Sequence, residues 1–196
     1  MNERYFINEE ELEKFLAKTN YDVYMPVSEK KAVRFRKCID TSFLSFYKNT
    51  TIPPKELFFK QTETLFEYKT GKDVEINEEF ETNEILVFGI RACDANALLI
   101  LDKYFGEPYA DFHYSERRKK SILIGLECNP WYNCFCTSVG INPNSRVGVD
   151  VFCINYQKKF IFEPLTEKGK RLIDEHDRFF GDVKDRAINL PRNFSI

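Results

Sequence analysis

The stretch ILVFGIRACDANALLILDKYF, residues 85–105, decides the fold. Its first part, residues 85–88, is a continuous apolar run of the kind found in strands that are buried on both faces. Residues 89–94 then turn the chain, and residues 95–105 place their leucines on or near one helical stripe. A second apolar run, SILIGL at 121–126, follows. Strand, helix and strand at these lengths predict a βαβ unit with parallel pairing and a right-handed crossover.

The N-terminal side of this unit is predicted to be rich in β-structure. Residues 21–27 and 32–38 read as two strands joined by the polar turn 28–31, which indicates a β-hairpin. Asn8 begins a capping-box pattern and predicts a short first helix. Residues 69–82 are mostly charged and polar, so we expect a surface excursion there.

The C-terminal side adds further elements to the same core. Residues 147–154 and 159–163 are predicted strands, and Thr166 is placed to cap a helix after them. The fold class is therefore α/β, with a mixed, partly parallel sheet, a βαβ unit and a β-rich N-terminal part.

Length and composition are those of one globular domain. We expect a single domain over residues 1–196, with residues 1–82 as its β-rich part and residues 83–196 as the part that carries the functional site. The net charge of −2 indicates neither a nucleic acid nor an anionic membrane as partner. No stretch approaches the roughly 18 apolar residues that a membrane span needs. We therefore expect a soluble, cytoplasmic protein.

Four of the six cysteines follow the ends of the two predicted buried strands. Cys93 comes just after the first strand and Cys128 just after the second, and the next loop brings Cys134 and Cys136. Ligands bind at the carboxyl ends of parallel strands, because the loops there converge on a rigid scaffold. Closely spaced cysteines in a reducing compartment are more often metal ligands or redox groups than disulfides. The sequence thus predicts that four thiols meet in one volume.

The neighbours of these cysteines suit an anionic metal centre. Cys93 lies at a predicted helix N-terminus, where the helix dipole and unpaired N–H groups lower the pKa of a thiol and stabilise an iron–sulfur cluster. Arg91 can offset the negative charge of a cluster held by thiolates. Trp131 and Phe135 flank the cysteine loop, and we expect them to shield the metal from water.

The cysteine spacing alone leaves three chemistries open. The C-x₅-C-x-C pattern that begins at Cys128 is neither a ferredoxin run nor the paired C-x₂-C of zinc ribbons. An iron–sulfur cluster, a structural zinc ion in an interaction module, and a metal-free dithiol of Cys134 and Cys136 all fit. Cys38 and Cys153 are expected to be ordinary buried residues outside the site. No phosphate-binding loop or serine–histidine arrangement is present, so we expect no catalytic site in this chain.

Two motifs carry a resemblance to a known family. GIRACD at 89–94, continued by ANALLILD, and later CNP at 128–130 with CFCTSVG at 134–140 resemble the beta (iron–sulfur) subunits of cytoplasmic hydrogenase/sulfur reductases. These subunits are related to an iron–sulfur subunit of anaerobic sulfite reductase. The resemblance extends over nearly the whole chain through stretches in matching order, at residues 23–27, 53–56, 61–63, 111–118 and 166–169.

The resemblance implies an electron-transfer subunit of a hydrogenase, sulfur reductase or sulfite reductase complex in anaerobic metabolism. Its cofactor would be a [4Fe–4S] rather than a [2Fe–2S] cluster. Its partners would be a flavin- and nicotinamide-handling subunit, together with a catalytic redox subunit. The ligand role carries over onto Cys93, Cys128, Cys134 and Cys136, with Asp94 as a hard ligand or supporting group. Family members usually continue into a ferredoxin-like region with two C-x₂-C-x₂-C-x₃-C runs, and this sequence has neither run.

Overall fold

Strands and helices alternate along the chain in the manner expected of an α/β fold. The computed structural model describes residues 3–30, 32–42, 44, 47–71, 74–77, 83–156 and 159–182. The strands are β1 (Tyr5–Asn8), β2 (Asp22–Glu29), β3 (Ala32–Lys37), β4 (Glu67–Lys69), β5 (Glu75–Asn77), β6 (Ile85–Ile90), β7 (Ser121–Leu126), β8 (Val151–Tyr156), β9 (Lys159–Pro164) and β10 (Gly181–Asp182). The α-helices are α1 (Glu9–Lys18), α2 (Ala92–Tyr104), α3 (Phe112–Lys119) and α4 (Glu167–Asp174). Short 3-10 helices cover Pro54–Leu57, Cys136–Val139 and Asp177–Phe179.

One mixed sheet contains eight of these strands, in the order β10-β1-β9-β8-β7-β6-β2-β3. Strands β2, β6, β7 and β8 are parallel neighbours. The pairs nearer the two edges are antiparallel. Helices α2 and α3 connect β6 to β7, which is the predicted βαβ unit with a second helix in the crossover. The predicted fold class is confirmed, and strands from the β-rich N-terminal part join the same sheet as the βαβ unit.

Helices cover the sheet on both faces. On one face, Phe15 of α1 and Leu172 of α4 pack in the same cluster as Phe88 of β6. On the other face, Leu98 of α2 packs in the same cluster as Val87. Because successive side chains of a strand point to opposite faces, β6 needs apolar residues in every position to contact both layers. This explains the continuous apolar run in the sequence.

Several local predictions are corrected in detail. Asn8 precedes α1 as predicted, but its side chain makes no capping hydrogen bond, and its backbone ends strand β1 instead. Thr166 does cap α4, since its Oγ1 accepts a hydrogen bond from the Gly169 N–H. The strand predicted from residue 147 begins only at Val151. Gly148 precedes it with a φ of 84°, a conformation in which a side chain is strained, and an added Cβ would lie only 3.1–3.2 Å from the Leu99 side chain and the Ala95 carbonyl oxygen of α2.

Helix α3 has no counterpart in the sequence prediction, because it is strongly charged and carries little apolar periodicity. Asp111 caps it by accepting a hydrogen bond from the Tyr114 N–H. Arg117 and Arg118 of this helix form ion pairs with Glu63 and Asp102. Ion pairing therefore replaces apolar packing along much of α3.

The predicted surface excursion contains a short hairpin. Strands β4 and β5 form a separate two-stranded sheet, and every residue of both strands is exposed. Residues 72, 73 and 78–82 of this excursion lie outside the described part of the chain. Among the described helices, none has the length and apolar character needed to cross a bilayer.

Candidate functional site

Four cysteines line one cavity at the carboxyl end of the parallel strands. Cys93 is the second residue of α2, directly after β6, and Cys128 follows β7 by two residues. Cys134 and Cys136 lie in the next loop, and all four border a cavity of about 430 Å³. The topology explains the meeting, because β6 and β7 are parallel neighbours whose ends lie at the same edge of the sheet.

The thiols surround this cavity rather than a single point. Cys93 is within electrostatic range of Cys128 and Cys136, and Cys128 is within range of Cys134. Nevertheless, in the described ranges no three His, Cys, Asp or Glu side chains are grouped closely enough to hold one metal ion. A zinc ion would hold every sulfur at about 2.3 Å. The described cysteines therefore share a cavity without forming a preformed zinc site.

Backbone hydrogen bonds fix the loop that carries Cys134 and Cys136. The Cys128 N–H donates to the side-chain oxygen of Asn144 at 2.8 Å, which ties the start of the loop to its far side. The Trp131 N–H donates to the Cys134 sulfur, with 3.2 Å between the two atoms. Hydrogen bonds from N–H to sulfur stabilise thiolates and the clusters they hold. The loop thus presents its sulfurs in a fixed arrangement.

Cys93 lies at the helix N-terminus as predicted, but its pKa is raised rather than lowered. Burial raises the pKa of the Cys93 thiol to about 12, and the neighbouring Asp94 carboxylate adds to the increase. The Asp94 backbone N–H donates a hydrogen bond to the Cys93 sulfur, and this bond opposes the increase in pKa. Burial also raises the pKa of Cys128, with Arg91 opposing. Desolvation outweighs the helix dipole here, so these thiols need a bound cation to become thiolates.

Arg91 ties the ends of two strands together beneath the cavity. Its guanidinium donates hydrogen bonds to the carbonyl oxygens of Leu126 and Glu127, where β7 ends. It also donates to the Tyr47 carbonyl and stacks on the Tyr47 ring, 4.2 Å from its centroid. Arg91 is only 5% exposed and lines the cavity. One buried cation therefore orients the segments that carry Cys93 and Cys128.

Asp94 lies next to the cysteine cavity but does not line it. Burial raises the pKa of its carboxyl to about 6, although Arg91 and Lys55 act in the opposite direction. The Oδ2 atom is buried and has no hydrogen-bond partner within the described part of the chain. Of the six predicted site residues, Asp94 is thus the one that the structure does not bring to the cavity.

The two aromatic residues beside the cysteines do not shield the cavity as expected. Trp131 is 52% exposed and Phe135 is 70% exposed. Phe135 lies at the mouth of the cavity, among the residues that line it.

Several other cavity residues were missed by the sequence analysis. Asn96 and Ile100 of α2 line the cavity, and they follow Cys93 by three and seven residues. This spacing places them on the same helix face as Cys93, so helical periodicity contained the signal. Lys48 and Asn49 also line the cavity. They come from a segment far away in the chain, and no motif or spacing marks them.

The two remaining cysteines lie outside the cavity. Cys153 is fully buried in the apolar cluster between the sheet and helices α1 and α4, as predicted. Cys38 is half-buried rather than buried as predicted, and its sulfur accepts a hydrogen bond from the Asp40 N–H at 3.3 Å. All six cysteines are free thiols. The cavity therefore separates the four candidate ligands from the two structural cysteines.

Comparison with known proteins gives one informative match. The chain is 28% identical over 173 residues to sulfhydrogenase 2 subunit beta of Pyrococcus furiosus. The match covers 88% of this chain and 50% of that subunit, so the chain spans about half the length of the curated relative. No family model matches the chain, and no solved structure matches it. The match supports the resemblance to hydrogenase beta subunits that the motifs indicated.

Proposed function

We propose that this chain binds one iron–sulfur cluster through Cys93, Cys128, Cys134 and Cys136 and transfers electrons within a hydrogenase-type complex. The observation that carries the proposal is that one thiol from α2, one from the end of β7 and two from the following loop line one cavity at the carboxyl ends of the parallel strands. The similarity to a sulfhydrogenase beta subunit supports a redox role.

The donor set fits a cluster better than a single ion. Soft thiolate ligands select iron–sulfur clusters, zinc or copper(I). A zinc ion needs its sulfurs gathered around one point, whereas a cluster of several iron and sulfide ions holds them farther apart. The thiols here are spread around a cavity and do not converge as a single-ion group in the described residues. Four thiols also give one ligand to each iron of a [4Fe–4S] cluster, which we favour over [2Fe–2S].

The protein's own residues would hold the cluster and set its environment. When bound, the cluster supplies one-electron redox chemistry. Arg91 brings a buried positive charge to the cavity, which favours the more negative, reduced state of such a centre. The N–H groups of Asp94 and Trp131 donate to the sulfurs of Cys93 and Cys134 and act in the same direction. This is the environment of an electron carrier rather than of a substrate-converting site.

The partners and location follow from this role. We propose a flavin- and nicotinamide-handling subunit on one side and a catalytic redox subunit on the other, in a complex of hydrogenase, sulfur reductase or sulfite reductase type. We also propose that the chain is one domain and works in the cytoplasm of an anaerobic cell. Its six free thiols are consistent with a reducing compartment.

Anaerobic purification followed by reconstitution with iron and sulfide tests the proposal. We expect a brown protein with broad visible absorption, equal amounts of iron and acid-labile sulfide, and an EPR signal on reduction. A colourless, iron-free protein after reconstitution would contradict the cluster. Tightly held zinc without redox activity would establish the structural zinc module instead. Reversible oxidation of Cys134 and Cys136 without any metal would identify a dithiol pair.

A further inference from the structure

Exposed apolar side chains lie in and beside the lining of the cysteine cavity. Ile100, Phe135 and Val139 line the cavity, and each remains more than half exposed. Large apolar side chains that stay exposed beside a cavity are a feature of surfaces that bind partners. We call this surface the rim, and it consists of Ile100, Tyr104, Trp131, Tyr132, Phe135 and Val139.

The rim combines one helix face with the cysteine loop. Tyr104 follows Ile100 by four residues on α2, so the two side chains share a helix face. Trp131 is anchored beside the cavity, because its N–H donates to the sulfur of Cys134. Of the exposed rings, Phe135 lines the cavity itself, whereas Tyr104, Trp131 and Tyr132 are near residues that line it.

Basic residues line this cavity, while the carboxylates of Asp94 and Glu127 lie next to it rather than in its lining. The charged residues that line the cavity are Lys48 and Arg91, and both are cationic. The ammonium group of Lys48 lies 5.6 Å from the centroid of the Trp131 ring. Residues 128–149 contain no aspartate or glutamate, and Lys103 is exposed on α2. In a chain of net charge −2, this is a local concentration of positive charge.

We propose that the rim is the docking surface for an acidic redox protein, one that presents an apolar centre bordered by carboxylates. This inference rests on the proposed function, because an electron carrier must bring its own redox centre close to the cluster, and the cavity opens at the rim. Redox encounter complexes bury less than about 1,200 Å² in total, so a small apolar rim with a few charges is sufficient. Complementary charges would mainly speed association.

Docking can be measured without any cluster in the chain. Trp131 is the only tryptophan, so its emission reports on the rim directly. The probe is an acidic, tryptophan-free ferredoxin with two [4Fe–4S] clusters, titrated into the chain. We expect saturable quenching, with an apparent Kd that rises about tenfold between 50 and 200 mM salt, because salt screens exposed charges. The double variant Lys48→Glu and Lys103→Glu should raise the Kd about tenfold at low salt.

A matched control separates the rim from general electrostatics. Lys170 is an exposed lysine on α4, the helix that covers the other face of the sheet. The double variant Lys18→Glu and Lys170→Glu, with Lys18 exposed on α1 on the same face, changes the net charge by the same four units as the double variant at Lys48 and Lys103, and it should leave the Kd within about twofold of wild type. Val139→Asp, which puts a carboxylate into the rim, should weaken binding about as strongly as the double variant at Lys48 and Lys103.

Electron transfer gives the second readout. Cluster-loaded chain is mixed with the reduced ferredoxin in a stopped-flow instrument, and in parallel the dithionite-reduced chain is mixed with basic cytochrome c. Rates are divided by the cluster content of each variant. We expect the ferredoxin rate to fall and the cytochrome rate to rise when Lys48 and Lys103 become glutamates.

The outcomes distinguish this inference from the proposed function. A Kd that is insensitive to salt and to both lysine substitutions overturns the docking surface, even if the cluster loads normally. Concentration-dependent dimerisation that Val139→Asp abolishes also overturns it, since the rim would then bind a second copy of the chain. Salt-dependent quenching in a protein that never loads iron supports the docking surface while rejecting the proposed function.

Discussion

The two ends of helix α2 are built in opposite ways. At the C-terminal end, Asp102 accepts two hydrogen bonds from the Arg118 guanidinium, both at 2.8 Å, and one from the Tyr114 hydroxyl at 2.6 Å. At the N-terminal end, Asp94 has a buried oxygen without a partner in the described residues, and the half-buried thiol of Cys93 lies beside it. The Asp102 carboxylate at the C-terminal end is thus fully hydrogen-bonded, whereas the buried Asp94 oxygen at the N-terminal end has no hydrogen-bond partner among the described residues.

The pKa values follow this difference. Burial raises the pKa of both carboxyls, but at Asp102 the hydrogen bonds from Arg118 and Tyr114 outweigh burial, and the pKa is lowered. At Asp94 nothing outweighs burial, and the pKa rises to about 6. Groups left unsatisfied in a buried cluster are characteristic of functional sites, whereas satisfied groups serve stability. The comparison thus points to a stabilising role for the C-terminal end and supports the proposed cofactor site at the N-terminal end.

The largest expected effect is on iron content, when a proposed cluster ligand is replaced. Cys93→Ser should lower the iron content more than tenfold or convert the cluster, because oxygen is a poor substitute for a soft thiolate ligand. Cys136→Ser should have the same effect. Iron and sulfide analysis with EPR after anaerobic reconstitution measures both variants. Cys38→Ser is the control and should keep its iron. Equal iron loss in all three variants would show that the ligand set is wrong.

A substitution in the middle of α2 should have the converse effect, lowering the stability of the fold without lowering its iron content. Leu98 is fully buried in the cluster that packs α2 against the sheet. Leu98→Ala should lower the free energy of unfolding by about 2–5 kcal/mol, because it leaves a cavity in a packed core. The folded protein should still bind a full complement of iron, since Leu98 does not line the cysteine cavity. Urea unfolding and iron analysis of the same preparation test this separation.

Much of this architecture could be predicted from the sequence, because it depends on local pattern. The apolar runs gave β7 with its observed bounds, and the hairpin of β2 and β3 was also found. The prediction that four cysteines meet needed only the rule that parallel strands end at one edge of a sheet. Periodicity and topology together were therefore sufficient to locate the cavity.

What the sequence did not reveal depends on tertiary context. The raised pKa of Cys93 results from burial, which the helix dipole alone could not predict. The exposure of Trp131 depends on which elements cover the cysteine loop, and Lys48 reaches the cavity from a distant segment. Helix α3 was missed because ion pairs with Glu63 and Asp102 replace an apolar stripe. Ion pairs between residues that are distant in the sequence produce no periodic pattern by which the helix could be predicted.

The stability that Asp102 contributes at the C-terminal end of α2 should depend on pH. Asp102→Asn should cost about 1–2 kcal/mol of stability at pH 7, a value reduced for the partial exposure of the ion pair. Because the folded pKa of Asp102 is lowered, its stabilising effect is present above the unfolded pKa of about 3.9 and is lost as pH falls through the folded value. Urea unfolding should show a constant difference from wild type between pH 7 and 5 that narrows below about pH 4. A difference that grows in acid would contradict this sign.

The smallest expected effect is at Asp94, and it decides the role of that residue. Its carboxyl does not line the cavity, so Asp94→Asn should leave the iron content unchanged, in contrast to Cys93→Ser. Stability should change by no more than about 1 kcal/mol, because the variant removes a buried carboxylate oxygen that has no partner in the described chain. Removing a negative charge beside the cluster favours the reduced state, so the midpoint potential should rise. Spectroelectrochemical titration measures that rise, and Asp111→Asn, at the N-terminus of α3, provides a surface control that should not shift the potential. Iron loss in Asp94→Asn would instead make Asp94 a ligand, and the unpartnered oxygen would then mark a metal position rather than a charge that tunes the cluster.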